Sequence, residues 1–588
     1  MGRKESTNSR AAAWRFVGHA YRREGRFILA AIAAGLCWQT AAITAPLFIS
    51  KAIDDGIEGG DRGALVAWCG GLAALGLLEA ACWGLRHFLA IRNGMRTDAA
   101  VRDGIFRHSQ QLDASYHDRV PPGELMSRAT SDSLLVARLV DNSGHTFGFL
   151  LTVVGASAVM LWLEWQLALI LLLPLPLLTI ATWRYSGPYS ERSKRLQEEL
   201  GRASTLVEET ISGVRVVKGL GAGDALLARF RALSDRIVER GLDIARLDAL
   251  FLPLLELLPL LGLIAVLWFG GTRVLSGELT LGEFVAFNAY VVLLVWPLRT
   301  LGHRVGTLQR GLGAAERITD VLREQPRIVD PDDPLALEPT GSGGASVELR
   351  DVRFGHDGGA PVLVELKLSV PAGSSLALVG PTGSGKSTVA SLLARFYDVR
   401  DGAVLIDGVD VRSARVADVR RSVGIVFDET FLFSDTARAN IAFGRPDADD
   451  EQVERAARLA GAHEFIVDLP DGYETILGER GLSVSGGQRQ RLAIARALLA
   501  DPAALVLDDA TSAVDVTKEH EIVSALATAM RHRTTLVIAH RPAAIALADR
   551  VALLEGGRVV ETGTHEELLA RSERYRKLLA LDSNGAVA

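Results

Sequence analysis

The chain has 588 residues, of which 48% are hydrophobic and 23% are charged, and its formal net charge is −6. The length exceeds that of one ordinary domain, and the absence of a basic excess argues against a nucleic-acid partner. Apolar runs are concentrated before about residue 310, and the remainder has the composition of a globular α/β domain. The sequence therefore predicts a membrane domain followed by a water-exposed domain.

The N-terminal segment, residues 1–26, is polar and basic, and we expect it to be cytoplasmic with an amphipathic helix at the membrane interface. The three cysteines are Cys37, Cys69 and Cys82, and all of them lie in apolar stretches. They form neither a metal-binding pattern nor a disulfide framework, so they are predicted to be buried packing residues.

The membrane domain is predicted over residues 27–320, because it contains six apolar segments of about 20 residues, the length that crosses a bilayer. These segments are 27–50, 63–85, 145–163, 166–183, 249–269 and 281–301. Glu164 and Trp165 are predicted to form the tight turn between the third and the fourth.

The long segments after the second and fourth predicted helices are rich in arginine, whereas the alternate loops are short and acidic. The positive-inside rule therefore puts the long segments and both termini in the cytoplasm. Their periodicity predicts helices that continue well below the membrane, and Gly123–Leu125 and Ile211–Gly213 are candidate contacts to a cytoplasmic domain.

Glu256 is the outstanding polar residue of the predicted spans, and it lies between Pro253 and Pro259. A carboxylate inside a membrane is costly, so it is a candidate substrate-site residue. It could instead line a wet cavity or lie at the cytoplasmic end of a kinked helix.

Residues 321–345 are rich in Pro, Gly and Asp, and they predict a linker to a domain over residues 346–588. In that domain an apolar strand, SLALVG, runs into the loop GPTGSGKST, and a helical run follows. Glycines let backbone N–H groups close around phosphates, a lysine reaches the terminal phosphates, and a serine hydroxyl can ligate Mg²⁺. The predicted nucleotide-binding residues of this loop are Gly380, Pro381, Thr382, Gly383, Ser384, Gly385, Lys386, Ser387 and Thr388.

A second phosphate-binding pattern, VSGGQ, opens an amphipathic helix, whose first N–H groups can bind an anion. Its candidate residues are Val484, Ser485, Gly486, Gly487 and Gln488. The strand ALVLDD follows and ends on Asp508 and Asp509, where a carboxylate can hold Mg²⁺.

With these motifs the chain resembles a half-transporter of the ABC exporter family over nearly its whole length. The resemblance implies an all-α, six-helix transmembrane domain fused to a cytoplasmic α/β P-loop nucleotide-binding domain, with ATP and Mg²⁺ as cofactors. It identifies Gly380–Thr388 as the Walker A loop, Leu505–Asp508 as Walker B, Val484–Gln488 as the signature, Asp515 as part of the D-loop and His540 as the switch histidine. It also implies that two halves pair head to tail, so that each ATP lies between the Walker motifs of one chain and the signature of the other.

Three positions depart from the family's pattern. Asp509 stands where a catalytic glutamate is usual, and its carboxylate is withdrawn by about 1.5 Å, the length of one carbon–carbon bond. Asp428 stands at the Q-loop glutamine, where it can still ligate Mg²⁺ but adds negative charge. His356 stands at the tyrosine that stacks on adenine. The resemblance thus makes Asp509, His540 and Asp428 the catalytic candidates, and Ser387, Asp428 and Asp508 the metal candidates.

These departures predict a heterodimer in which this chain's Walker motifs form a degenerate site. The partner half-transporter would carry the catalytic glutamate, and this chain's signature would complete the partner's hydrolytic site. The expected function is ATP-driven transport, in the direction of export, of a hydrophobic or amphipathic small molecule or lipid across a bacterial plasma membrane. Three alternatives stay open: a homodimeric exporter or lipid flippase that uses Asp509 as its base, an exporter-fold importer of a siderophore or lipid, and a channel-like regulator gated by ATP.

Overall fold

The computed structural model describes residues 2–172, 174–337, 344–356, 359–478, 484–509, 519–531 and 533–579. The chain divides into two compact units. The first unit comprises Met1–Gln110 and Gly123–Glu324, and the second comprises Gln111–Pro122 and Gln325–Ala588. The second unit therefore takes one short piece of chain from inside the first.

Helices form the whole of the described secondary structure before residue 324. In chain order they are α1 (Gly2–Arg23), α2 (Gly25–Lys51), α3 (Arg62–Gln111), α4 (Ala114–Arg119), α5 (Pro122–Ser127), α6 (Ser133–Asp141), α7 (Ser143–Leu163), α8 (Trp165–Leu172), α9 (Pro174–Ser212), α10 (Val214–Gly219), α11 (Gly223–Ser276) and α12 (Leu281–Arg323). Short π-helical turns follow α2 and α5, at Ala52–Glu58 and Arg128–Asp132.

Three helices of the described residues are long and apolar enough to cross a membrane, and they are Gly25–Glu58, Arg62–Gln111 and Gly144–Leu163. Shorter apolar helices cover Leu260–Ser276 and Leu281–Leu294. The other predicted spans, 166–183, 249–269 and 281–301, each contain residues whose side chains lie outside the described part. The break predicted at Glu164 and Trp165 is found at Glu164 alone, because α7 ends at Leu163 and Trp165 already begins α8. Helices α3 and α11 run unbroken for 50 and 54 residues, well beyond the predicted spans 63–85 and 249–269.

The N-terminal helix α1 packs its apolar side against other helices of the first unit. Ala13 and Val17 lie in one buried cluster with Ile105 of α3, Val136 of α6 and Ile318 of α12. This contact gives the polar, basic N-terminal segment a fixed place in the fold.

The π-helical turn after α2 holds the start of α12. Asp54 accepts hydrogen bonds from the backbone N–H of Gly282 at 2.8 Å, from the Thr280 hydroxyl at 2.8 Å and from the Ser50 hydroxyl at 3.3 Å. A Cβ atom on Gly282 would lie 2.3 Å from the Ser50 carbonyl oxygen, so only glycine fits this close approach. The Asp54 carboxylate therefore caps a helix that begins more than two hundred residues later in the chain.

We expect Asp54→Ala to lower the free energy of unfolding of the first unit by about 0.5–2 kcal/mol, the usual cost of losing a helix cap. Thermal unfolding in detergent micelles would measure the effect. The matched control is Asp55→Ala, because the exposed Asp55 accepts a hydrogen bond from the Trp68 indole N–H in α3, at 3.1 Å. Equal losses for the two variants would contradict the capping role.

The second unit contains two sheets. The strands are β1 (Val347–Phe354), β2 (Leu363–Val370), β3 (Ser375–Val379), β4 (Asp401–Ile406), β5 (Val409–Asp410), β6 (Val423–Val426), β7 (Ala504–Asp508), β8 (Thr534–Ile538), β9 (Arg550–Glu555) and β10 (Arg558–Gly563). An antiparallel sheet has the order β2-β1-β4-β5, and a six-stranded sheet has the order β10-β9-β3-β8-β7-β6. Its helices are α13 (Lys386–Leu393), α14 (Val416–Ser422), α15 (Ala437–Ile441), α16 (Asp450–Leu459), α17 (His463–Val467), α18 (Gly486–Leu499), α19 (Glu519–Met530), α20 (Pro542–Ile545), α21 (His565–Arg571) and α22 (Glu573–Leu578).

Five neighbouring strands of the larger sheet, β9, β3, β8, β7 and β6, run parallel. Strands β3, β7 and β8 are buried at every position, which is typical of parallel strands covered on both faces. The carboxyl ends of parallel strands meet at one edge of the sheet, where α/β proteins bind their ligands. The phosphate-binding loop and the acidic residues predicted from the sequence lie at this edge.

Candidate nucleotide-binding site

The loop after β3 is shaped for an anion. A Cβ atom on Gly380 would lie 2.2 Å from the Leu554 carbonyl oxygen, and Gly383 and Gly385 have φ angles of 82° and 103°. The buried Lys386 donates hydrogen bonds from Nζ to the carbonyl oxygens of Gly380 at 2.8 Å and Pro381 at 2.9 Å. The ammonium group thus lies inside the loop, where phosphate oxygens would be better partners for it.

A hydroxyl and a carboxylate from two different elements meet beside this loop. Ser387, in the first turn of α13, donates a hydrogen bond to Asp508 Oδ1 at 3.2 Å. Asp508 is the last residue of β7 and is buried. Burial raises the pKa of its carboxyl, and so do the nearby Asp428 and Asp509. The hydrogen bond from Ser387 and the charge of Lys386 lower this pKa. Hydroxyl and carboxylate oxygens are hard ligands of the kind that Mg²⁺ takes. The pair therefore fits the predicted metal site.

Asp509 lies next to Asp508 with an unusual backbone conformation. Its φ is 45°, and its backbone N–H donates to the Ile538 carbonyl oxygen at 2.8 Å. Burial raises the pKa of its carboxyl, while the nearby His540 lowers it and Asp428 raises it. Its Oδ1 atom is buried and has no hydrogen-bond partner among the described residues.

The remaining catalytic candidates come to the same edge from the flanking strands. Asp428 is two residues beyond the end of β6, His540 is two residues beyond the end of β8, and both are exposed. His540 lowers the pKa of the Asp509 carboxyl and Asp428 raises it. The carboxyl ends of β3, β6, β7 and β8 thus carry Lys386, Asp428, Asp508, Asp509 and His540.

The signature pattern opens α18, as predicted. Ser485 is its N-cap, where its hydroxyl accepts a bond from the Gln488 N–H at 3.3 Å and its own N–H donates to Gln488 Oε1 at 2.9 Å. Gly486 and Gly487 lie in the first turn, and Val484 is buried. In the described part of the chain, the Ser485 and Gln488 side chains bond to each other's backbone and to no residue of the loop after β3. This first turn therefore keeps free N–H groups for a ligand from elsewhere.

His356 stands at the edge of an aromatic cluster. Its ring is exposed and lies edge-on to Phe354, with ring centres 5.0 Å apart, and to Tyr397, with ring centres 5.2 Å apart. A cleft of about 400 Å³ next to it is lined by all three rings and by the segment 113–119. The ring is thus placed where a flat ligand could stack on it.

The sequence analysis missed the role of α4. Asp118 accepts a hydrogen bond from the Tyr397 hydroxyl at 2.6 Å, and Asp113 accepts one from the Arg327 backbone N–H at 3.1 Å. These bonds hold Gln111–Pro122 in the second unit. The predicted contact segments Gly123–Leu125 and Ile211–Gly213 both belong to the first unit. The local sequence signal for the docked segment is the aromatic Tyr116, which is buried.

We expect Tyr397→Phe to increase amide hydrogen exchange in Gln111–Pro122, because a hydrogen bond to a carboxylate contributes about 1.5–3 kcal/mol. Mass-spectrometric hydrogen exchange on the full chain in lipid would measure the change. Tyr473→Phe is the matched control, since its hydroxyl contacts His463 at 2.9 Å, within the second unit and away from α4. Unchanged exchange in Tyr397→Phe would contradict the docking role of this bond.

Two predicted site residues cannot be placed. Asp515 lies outside the described residues. Glu256 lies within α11, which continues through Pro253 and Pro259, but its side chain is not among those described. The prediction that all cysteines are buried is wrong, since Cys37 and Cys69 are exposed and Cys82 is half-buried.

Comparison with known proteins agrees with these motifs. A family model for the ABC transporter transmembrane region matches residues 28–298, and a second model, described as ABC transporter, matches residues 363–512. An ATP-dependent lipid A-core flippase of Syntrophus aciditrophicus is 37% identical over 503 residues, covering 85% of this chain and 83% of the flippase. The chain belongs to the ABC transporter family.

Other relatives extend the comparison. A multidrug efflux ATP-binding/permease protein of Mycobacterium bovis is 38% identical over 567 residues, covering 96% of this chain but 47% of that protein, so the chain spans about half of its length. A solved structure of a bacterial Atm1-family ABC exporter with ATP bound is 29% identical, with a TM-score of 0.79 over 95% of this chain and 99% of the exporter chain. The expected fold class, a helical membrane domain fused to an ABC nucleotide-binding domain, is confirmed.

Proposed function

We propose that this ABC transporter chain couples ATP hydrolysis to the export of a hydrophobic or amphipathic compound from the cytoplasmic side of a bacterial plasma membrane. The observation that carries the proposal is the meeting of Lys386, Ser387 and Asp508 at one sheet edge, in a chain whose other unit has membrane-spanning helices. The names of the relatives, multidrug efflux protein and lipid flippase, support a hydrophobic cargo. The substrate candidate Glu256 is assigned to the membrane unit on sequence grounds alone.

The residues of the site have separate tasks in this proposal. The loop Gly380–Gly385 encloses the phosphates of ATP with its N–H groups, and Lys386 turns its ammonium from the loop carbonyls to the terminal phosphates. Ser387 and Asp508, with Asp428, would hold Mg²⁺, which supplies positive charge against the phosphate oxygens. His356 offers a ring for the base. His540 and Asp509 would orient an attacking water.

A second half-transporter would complete the site, because the first turn of α18 presents its N–H groups without bonding to its own chain's phosphate loop in the described residues. The family's exporters act as dimers, and a relative about twice as long as this chain has room for two halves. We propose that the partner is a different half-transporter with a glutamate at the position of Asp509. The additional negative charge of Asp428, which raises the pKa of Asp509, argues for weak hydrolysis at this chain's own Walker site.

The second candidate is a homodimeric exporter or lipid flippase in which Asp509 is the catalytic base. One observation favours it: Asp509 Oδ1 is buried, has no partner among the described residues and lies near His540, so it could receive a water. The relatives named lipid A-core flippases favour it too.

Steady-state ATPase activity in lipid would test the two candidates, on the purified chain alone and on its complex with a co-expressed partner. The heterodimer predicts an almost inactive chain and an active complex in which Asp509→Ala changes turnover little. An isolated chain that dimerises, hydrolyses ATP and is silenced by Asp509→Ala would instead establish the homodimer. Uptake into inverted vesicles would give the direction of transport and distinguish export from import.

A further inference from the structure

A chain of contacts links the cleft beside His356 to the phosphate-binding loop. A Cβ atom on Gly385 would lie 2.7 Å from the Leu363 side chain and 3.2 Å from the Val362 side chain, at the start of β2. The Val362 N–H donates to the Phe354 carbonyl oxygen at 2.7 Å, and the Phe354 ring contacts the His356 ring. A nucleotide whose phosphates lie in the loop can therefore reach this cleft with its base.

Three aspartates line the cleft, and two of them are hydrogen-bonded through both carboxylate oxygens. These two are Asp113 and Asp398. Asp118 differs, because its Oδ2 accepts from the Tyr397 hydroxyl at 2.6 Å while its Oδ1 accepts no hydrogen bond in the part of the chain that the structure describes. The Asp118 carboxylate therefore keeps one oxygen for a ligand in the cleft.

The edges of the two purines differ in a way that a carboxylate can detect. Stacking on an aromatic ring does not discriminate between them, since every base has a π-face. Guanine has N–H donors at N1 and N2 and acceptors at O6 and N7, whereas adenine has a donor at N6 and an acceptor at N1. A carboxylate only accepts, at about four lone-pair positions on its two oxygens. Asp118 can thus accept from both guanine donors, while it repels N1 of adenine.

The cleft also contains donors for the oxygen of guanine. Arg119 and Arg400 both line it, and each guanidinium has five N–H donors. One of the Arg119 donors bonds to the Ser115 carbonyl oxygen and one of the Arg400 donors bonds to the Gly355 carbonyl oxygen, each at 3.1 Å. Arginine is the commonest partner of guanine O6 and N7 in protein–nucleic acid contacts. The cleft therefore combines the acceptor and the donors that guanine needs.

We propose that Asp118 reads the base and makes this chain's Walker site favour guanine nucleotides over adenine nucleotides. This inference rests on the proposed function, because it requires a nucleoside triphosphate whose phosphates lie in the loop Gly380–Gly385. In the proposed heterodimer the two composite sites would then hold different nucleotides. GTP would occupy the site built on this chain's Walker motifs, and the partner's Walker motifs would hold the ATP that is hydrolysed.

Competition binding on the full chain in lipid nanodiscs, in the presence of Mg²⁺, tests the proposal. GTP and ATP each displace a fluorescent nucleotide analogue, and the result is the ratio of their dissociation constants. We expect the Kd of GTP to be about 10–100-fold lower, the discrimination that a good bidentate contact to a base provides. A Kd for ATP equal to or below that of GTP would overturn the base-reading role and leave the proposed function intact. A chain that binds neither nucleotide would overturn both.

Asp118→Asn keeps an oxygen that can accept from the Tyr397 hydroxyl and places an N–H donor where the carboxylate had an acceptor. We expect it to raise the Kd of GTP relative to that of ATP by about 10-fold or more. It should also bind xanthosine triphosphate more tightly than the wild type does, because xanthine carries a carbonyl oxygen where guanine carries its 2-amino group. Damage to the fold or to the docking of α4 would not produce this gain.

Asp398→Asn is the matched control. This residue lines the same cleft, but its two carboxylate oxygens accept from Arg395, at 3.0 Å and 3.5 Å. We expect the variant to keep the wild-type ratio of dissociation constants and to gain no affinity for xanthosine triphosphate. Equal shifts in the two variants would overturn the proposal, and so would an Asp118→Asn variant that keeps the wild-type ratio.

Discussion

Replacing Asp509 with glutamate is expected to raise ATP hydrolysis at this chain's own Walker site by about 10²-fold, because a misplacement of about 1 Å costs a comparable factor. The longer side chain restores the reach that the family's catalytic glutamate has. The measurement is ATPase turnover of the complex after the partner's catalytic glutamate has been replaced by glutamine. The remaining turnover then reports the site built on Asp509.

Asp509→Asn is the control that removes the carboxylate charge without changing the backbone conformation. The φ of 45° at this position is one that Asp and Asn tolerate better than most residues, so the asparagine variant removes charge and keeps the loop conformation. In a complex whose partner is intact, we expect it to change turnover little. If it silences the complex, Asp509 is a working base and the site is not degenerate.

Gly486→Asp is expected to lower ATP turnover of the intact complex by about 10²–10³-fold, the cost of losing one important donor to a developing negative charge. A carboxylate in the first turn of α18 suits the helix dipole, so the helix should still form. The same carboxylate repels the phosphate that would bind those N–H groups. In the proposed heterodimer the loss would fall on the partner's hydrolytic site, which this chain's signature would complete.

Gly486→Ala is the matched control, as it adds a side chain without charge. Binding of a fluorescent ATP analogue to the chain alone reports the Walker site built on Lys386 and should be unchanged in both variants. A Gly486→Asp complex that retains full turnover would show that the α18 signature of this chain does not face a hydrolytic site. Turnover of the Gly486→Asp complex and of the Asp509→Asn complex, taken together, shows which of the two composite sites hydrolyses ATP.

The parts of the site whose position was predicted correctly are formed by residues that lie close together in the chain. The loop Gly380–Thr388 requires a strand before it and a helix after it, and Ser485 with Gln488 forms a cap within four residues. Each of these signals is complete in a short window, so reading it requires no knowledge of the tertiary fold.

The features that the sequence did not predict depend on distant pairs. The bond between Asp118 and Tyr397 joins residues 279 positions apart, and that between Asp54 and Thr280 joins residues 226 positions apart. The prediction that Cys37 and Cys69 are buried is wrong for another reason. An apolar helix that faces lipid and one that faces protein have the same composition, so hydropathy does not distinguish their surfaces.

The inclusion of Gln111–Pro122 in the second unit has a consequence for exchanging domains between transporters. A chimaera joined at residue 325 would combine this chain's α4 with the ATPase domain of another transporter. Tyr397, which binds Asp118, would then be replaced by the donor's residue at that position. Evolution by recombination meets the same obstacle, because one crossover cannot transfer both parts of an interleaved module. Grafts that carry residues 111–122 together with the C-terminal domain should assemble, whereas single-junction grafts should succeed only where the donor preserves that hydroxyl.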